Sequence, residues 1–284
     1  MATYYVNQLG AGSQNGTSLG NAWSVANLNA PSSYTAGDTI ILNGTISTQV
    51  TIQRSGTAGN PITLLFAAGA KVSAAKWDNN GAILIYGNQS YITIDGGATG
   101  TIGGPNGNAS FVNGYIECTA NGTGLTNSVE CVGILANEAK HFIVQNLAIY
   151  NLYVRTGTTD QIPSVPYGVA GIACFDNNGN GQSNLTFSNL LIHDTEIGIF
   201  TDYGVGGSNY TANQVTVYNC NWGGGTADRG AGATLSGLVV HDCWFYNFTN
   251  WNDTVGNQYH HNGWYSYAES GGTLTNPTYY KNKL

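Results

Sequence analysis

The chain has 284 residues, a net charge of −7 at pH 7, and eight Lys plus Arg against fifteen Asp plus Glu. With no basic stripe to neutralise phosphates, a nucleic acid is excluded as a partner, and a polyanionic glycan would be repelled unless a metal ion intervened. Charged residues reach only 8%, against roughly 25% in ordinary domains, but 42% hydrophobic content can still bury a core, and neutral or weakly charged ligands are favoured.

The opening residues MATYYVNQLG have neither the basic start nor the apolar run of a signal peptide. Nothing later is long enough to span a bilayer, so no membrane partner is expected. Tyr4–Val6 reads as a first strand, and Ser18 as the N-cap of a short helix with Leu19, Trp23 and Ala26 on one face. A lone helix before a long run of strands can plug an otherwise open end, which makes 1–36 an N-terminal capping region and 37–284 one elongated domain. Strands then follow at Asp38–Leu42, Val50–Ile52, Ile62–Phe66, Ala82–Tyr86 and Tyr91–Gly96. The Gly-, Asn- and Thr-rich stretch near 97–128 reads as an insertion loop. Cys118 and Cys131 flank part of it and can form a disulfide, while the odd total of five cysteines leaves at least one thiol unpaired.

From Phe142 to Phe248 one phrase is written four times: FIVQNLAI, LTFSNLLI, VTVYNCNW and LVVHDCWF. Alternate residues are apolar before the fifth position, which is Asn146, Asn189, Asn219 or Asp242, and the alternation resumes after it on the other parity. Such a phase flip predicts two short strands meeting at a tight bend, where Asn and Asp best tolerate a left-handed backbone. Cys220 and Cys243 fall in one column of this alignment and read as stacked small core residues. A second motif, Gly-led, precedes the bend units at Gly133–Asn137, Gly171–Phe175 and Gly198–Asp202, recurs at Gly263–Tyr267, and has an earlier counterpart at Gly81–Ile85. The shortest step, Asn219 to Asp242, suits a bare solenoid coil of roughly 20–50 residues; the longer steps carry insertions near 154–168 and 203–210. No helical pattern separates the strands, which argues against an α/β fold. The expected fold is all-β, a right-handed, single-stranded parallel β-helix with a short N-terminal capping helix.

The segments YYVNQLGAGSQNGTSLGNAW, GDTIIL, GNPITL, YITIDG, HHNGWYSY and TNPTYYKNKL resemble coils of right-handed β-helix proteins of the pectate-lyase-like superfamily. Members include polysaccharide lyases, glycoside hydrolases, epimerases, and phage tailspikes or other virion proteins. The resemblance specifies fold more than chemistry. Together with the missing export signal, it implies a glycan-facing surface protein. The expectation is a bacteriophage virion component, tailspike- or decoration-like, that binds and can cleave host polysaccharide. The alternatives are a secreted polysaccharide lyase or glycoside hydrolase, and a purely structural or adhesive repeat protein. The location is then the virion or the extracellular space, with a homotrimer or other virion proteins as further partners and as cover for the last coil.

On the Gly-led strands, alternation turns Ile134/Ala136, Ile172/Cys174, Ile199/Thr201 and Trp264/Ser266 inward. Phe175, Phe200, Tyr265 and Tyr267 then face out and, with Trp244, are the candidate glycan-binding rings. Glu138, Asp176 and Asp202 at the strand ends are the candidate catalytic acids. Coils about 4.8 Å apart would let Asp176 and Asp202 approach the roughly 5–5.5 Å of a retaining pair, and Glu138 and Asp202 the roughly 6.5–9.5 Å of an inverting pair. Any ladder of turn acids meets the same spacing. A lyase would need a cationic base, for which Lys76, Lys140, Arg155 and Arg229 are available, Arg229 beside Asp228, and possession of Ca²⁺ would suit such chemistry. His193, His241, His260 and His261 lack metal-ligand spacing and read as surface residues. No cofactor and no metal site is otherwise expected. Trp244, Tyr246 and Trp251 suit a glycan platform or a subunit interface.

Overall fold

The computed structural model describes residues 1–120, 131–152, 169–204, 206–228, 232–248, 262–268 and 271–284, without the side chains of Tyr203, Asp228 and Tyr267. Among these, all the paired strands are parallel and stack into three faces. The first face runs through Thr3–Asn7, Thr39–Leu42, Ile62–Phe66, Ser90–Asp95 and Lys140–Gln145, then 182–188, 207–213 and Thr234–His241. A second carries Thr45–Ile46, Lys71–Ala74, Gly114–Cys118 and Leu147–Tyr150, then 190–193, 215–218 and Trp244–Tyr246. The third consists of Val50–Ile52, Ile83–Ile85, Cys131–Asn137, Val169–Phe175, Ile197–Tyr203, Trp222–Asp228 and Trp264–Ala268. Each coil visits the faces in that order before climbing to the next. The fold is a right-handed parallel β-helix.

In the coils from Lys140 onward, two corners are single residues in the left-handed conformation. Asn146, Asn189, Gln214 and Asp242 turn the chain from the first face to the second, with φ of 56°, 53°, 51° and 52°. Asn151, Asp194, Asn219 and Asn247 turn it from the second to the third, with φ of 57°, 53°, 52° and 54°. The pairings Ser188↔Asn213 and Leu190↔Val215 set Gln214, not Asn219, beside Asn189. The third copy of the phrase therefore belongs one corner later than its sequence alignment placed it. Both corners demand the same backbone conformation, so Asn answers for either, whereas Gln carries no left-handed signature. For the same reason Cys220 and Cys243, although both buried in the core, follow different corners and do not share a column.

The Gly-led strands gain a member that the sequence concealed, Trp222–Asp228, whose GGG looks like a loop. A Cβ on Gly133, Gly171, Gly198 or Gly223 would lie 2.5, 2.6, 2.3 or 2.2 Å from the glycine carbonyl oxygen of the next coil. Only glycine permits that approach. Of the expected insertions, 97–128 contains the regular strand Gly114–Cys118. The 203–210 stretch is mostly strand, since Gly207–Tyr218 begins within it, and 154–168 lies outside the described residues.

At the N-terminus, the opening strand Thr3–Asn7 pairs with Thr39–Leu42. The capping helix is shorter and later than expected: Val25–Leu28, capped by Ser24, whose Oγ accepts the Asn27 N–H at 3.2 Å, while Ser18 makes no side-chain cap. Trp23 belongs to the strand Trp23–Ser24. Val25 and Leu28 seal the core, and the next residues close the strand edge behind it. Asn29 Oδ1 accepts the Thr51 N–H at 2.8 Å, its Nδ2 donates to the Gln49 carbonyl at 3.0 Å, and the Tyr34 hydroxyl accepts the Gln53 N–H at 2.9 Å. Side chains thus take the place of a preceding strand. At the opposite end, Val240, Phe245, Trp264, Tyr279 and Leu284 line a cavity of about 580 Å³.

Candidate functional site

The outward row of the third face pairs Leu84, Leu135, Ala173, Phe200, Gly225 and Tyr265 in succession. It is not the open aromatic platform that alternation suggests. Phe200 is 0% exposed and belongs to a second apolar layer, outside the sheet, with Val132, Leu135, Ala170, Ala173, Ile197, Trp222 and Ala227. Phe175 packs on Phe200 with ring centroids 5.8 Å apart, and Tyr265 meets Trp222 edge-on at 5.1 Å. Pointing out of a sheet is not the same as reaching solvent. Tyr267 has no described side chain, and Arg155, Arg229, Trp251, His260 and His261 lie outside the described residues.

Glu138 and Asp176 do come together, at the corner between the third and first faces, but both carboxylates are engaged by one turn. Glu138, itself left-handed at φ 55°, accepts the Asn178 N–H at 3.0 Å, the Asn178 side-chain amide, and Asn180 Nδ2 at 2.6 Å. Asp176 accepts the backbone N–H groups of Asn180, Gly181 and Gly204 at 2.9, 3.0 and 3.1 Å. Both acids are buried. Asp202 lies one coil on; its carbonyl accepts the Asp176 N–H and Gln182 Nε2.

The second face holds what the sequence reading missed. Its outward row aligns Glu117, Tyr150, His193, Tyr218 and Tyr246. From Tyr150 the rings stack coil on coil, with centroids 5.0, 4.6 and 5.0 Å apart and planes within 14°. Tyr115 extends the stack at one end, 5.4 Å from Tyr150, and Trp244 at the other, 4.4 Å from Tyr246. The stack ends beside two lysines: Lys71 lies 5.5 Å from the Tyr115 ring centre and Lys283 4.2 Å from that of Trp244. Lys71 also pairs with Glu117 at 3.2 Å, and Ser73 donates to the same carboxylate at 2.8 Å. Mid-stack, His193 Nδ1 lies 2.6 Å from Asp194 Oδ2, which fixes the imidazole between its two tyrosine neighbours. Burial, with help from Glu117, holds the Tyr150 phenol well above its ordinary pKa, and burial followed by Tyr246 and Asp194 pushes that of Tyr218 up to about 12. The phenols stay protonated and can donate hydrogen bonds.

A strap formed by 97–113 walls one side of this stack. Asn189 Oδ1 accepts the N–H groups of Ile102 and Gly103 at 2.7 and 3.3 Å, and its Nδ2 donates to the Gly100 carbonyl and to Asn146 Oδ1 at 2.9 and 2.8 Å. Ile102 covers Ala148 and Leu191 on the row beside the rings. The sequence did hold a signal: the four rings of the aligned row each immediately precede a left-handed corner, as Tyr150–Asn151, His193–Asp194, Tyr218–Asn219 and Tyr246–Asn247. Of the rings that the sequence offered for a glycan, Trp244 and Tyr246 stand on this face.

No protein-family model and no curated protein sequence matches the chain. Solved structures do. The GH136 lacto-N-biosidase from Eubacterium ramulus superposes with a TM-score of 0.51 at 11% identity, covering 99% of this chain and 67% of that one. A rhamnogalacturonan lyase gives 0.50 at 10% identity, covering 86% and 74%. At such identities the likeness concerns the backbone. It shows the fold, a parallel β-helix.

Proposed function

We propose that the chain is a polysaccharide-binding β-helix whose glycan lies along the second face, over the rings of Tyr150, His193, Tyr218, Tyr246 and Trp244. The stacked, half-exposed rings carry this reading. They repeat at the coil spacing of about 4.8 Å and offer apolar edges beside hydroxyl and imidazole groups, which suits an amphipathic ligand such as a sugar chain. The two similar structures named above are a lacto-N-biosidase and a rhamnogalacturonan lyase, which supports a glycan as the ligand class. A rigid, elongated binder of this kind suits an extracellular setting, and we extend the proposal to a tailspike- or decoration-like part of a virion.

Binding is favoured over hydrolysis by Glu138, Asp176 and Asp202 because the first two carboxylates already serve a turn. A second reading, cleavage of the bound chain, draws on the His193–Asp194 pair. A carboxylate on Nδ1 orients an imidazole to act through Nε2 as a general base. Titration against a panel of neutral and uronic polysaccharides, with reducing ends and unsaturated products followed in parallel, tests both. Saturable binding that falls at least about tenfold in Trp244→Ala and His193→Ala supports the site. Undiminished binding in both variants rejects it, and no product with wild-type protein rejects the cleavage reading.

A further inference from the structure

Cys118 closes the second-face strand Gly114–Cys118, and Cys131 opens the third-face strand Cys131–Asn137 of the same coil. Their sulfurs lie 3.3 Å apart, and both side chains are 0% exposed within the main core. We propose that Cys118 and Cys131 are a dithiol modification site that oxidises to an intramolecular disulfide during folding, clamping the corner between the second and third faces.

The geometry selects this pair over any other. Sulfurs held near 3.3 Å need to close by only about 1.3 Å to reach bonding distance. By contrast Cys243 Sγ is turned to the carbonyls of Ala212 and His241, at 3.6 and 3.2 Å. Cys174 and Cys220 sit in the core with burial alone, or burial and Asp194, raising their thiol pKa values. Within the close pair the thiols are unequal. The hydrogen bond from Cys131 lowers the pKa of Cys118, with the Trp77 backbone N–H helping, and burial raises that of Cys131. In the closed coil Cys118 is thus the more acidic thiol and Cys131 the proton-bearing partner.

The end of the strand that carries Cys118 is already held in place. Trp77 Nε1 donates to the Glu117 carbonyl at 2.9 Å and Asn151 Nδ2 to the Cys118 carbonyl at 2.6 Å. Clamping therefore requires little rearrangement of the strand ends. The oxidant is a disulfide, small-molecule or carried by an oxidoreductase. The thiolate of one cysteine of the pair attacks one of the oxidant's sulfurs, forming a mixed disulfide and expelling one thiolate. The other cysteine, losing its proton, then attacks the protein sulfur of that mixed disulfide and releases the second thiol. Two thiols are oxidised and one external disulfide is reduced. Because both sulfurs are sealed in the finished coil, exchange takes place before the coil closes, and reduction of the folded protein is slow. Such a bond would place the mature protein in an oxidising environment.

The test is refolding of the whole chain in a glutathione redox buffer, followed by alkylation under denaturing conditions, intact mass and peptide mapping. The expected product carries three alkyl groups in place of five and, apart from these, is lighter than the fully reduced chain by about 2 Da for the two hydrogens lost, with a Cys118–Cys131 cross-link and Cys174, Cys220 and Cys243 alkylated. Reductant present during unfolding should lower Tm by about 5 °C, and this redox dependence should vanish in Cys118→Ser/Cys131→Ser. Full alkylation of all five cysteines after oxidative refolding overturns the proposal. A cross-link through any other cysteine overturns it too, as does an equal redox shift in the double variant, which keeps the other thiols.

Discussion

Glu196 shows how much one side chain can set against a stable coil. It is 1% exposed, immediately precedes the third-face strand at Ile197, and neither carboxylate oxygen has a hydrogen-bond partner among the described residues. Burial pushes its pKa up to about 8 from an ordinary 4.5. An acid whose folded pKa is raised is neutral in the native state and ionises more readily when unfolded. Between pH 4.5 and about 8 the unfolded chain therefore binds fewer protons, and stability declines as pH rises through that window. At and above about pH 8 the penalty reaches at most about 5 kcal/mol. Glu196→Gln should flatten the slope and raise Tm at pH 8 while changing it little at pH 5, as read from melting curves across pH 5–9. A Tm slope unchanged in the variant would assign the pH dependence to other groups. Burial of this kind is invisible to a sequence, in which Asp-Thr-Glu looks like a polar turn: the next coil encloses Glu196, whose carbonyl accepts the N–H groups of Asn221 and Trp222.

Among the elements, the strap is the least expected. Its stretch reads as loop because glycines dominate it, and glycines are what its path requires. A Cβ on Gly103 would fall 2.0 Å from the Gln214 carbonyl oxygen and 2.3 Å from that of Leu190. Gly103→Ala should lift the strap from the corner ladder and expose Ile102, Ala148 and Leu191. The expected readout is fast proteolytic nicking within 97–113, with Tm falling by about 2–4 °C. Asn189→Gly keeps the left-handed backbone but removes the side-chain bonds to Ile102, Gly103 and Gly100. It should produce the same nicking with a smaller Tm loss. Resistance of both variants to protease would mean that packing, not these contacts, holds the strap. The ladder of rings beside it illustrates a complementary point. Each ring was readable as an outward residue, but ring stacking needs coil-to-coil register, and insertions of unequal length hide that register from the sequence.

Across the molecule, the two ends are treated differently. The first third-face strand, Val50–Ile52, is an edge whose N–H and C=O groups would otherwise recruit another strand. Asn29 and the Tyr34 hydroxyl satisfy it instead. Asn29→Ala should leave the Thr51 N–H and Gln49 carbonyl unpaired, cost about 1–3 kcal/mol, and promote association through this end. Light scattering against concentration would record that association, and a variant as monodisperse as the wild type would refute the edge-sealing role. The homotrimer proposed from the family resemblance is tested in the same measurement by the mass of the wild-type protein.

What the sequence determined by itself was the fold: alternation, a phase flip at Asn or Asp, and glycines at fixed places are local requirements of a coil, and each residue meets them through its own backbone preferences. Tertiary structure decided which corner each Asn occupies and that Gln214 can stand in for one. It also decided which outward residues are covered, as at Phe200, and which carboxylates are engaged, as at Glu138 and Asp176. These outcomes depend on what the neighbouring coil and the strap place against a residue, and contacts between coils are set by register and by insertion length, neither of which is a property of the local sequence.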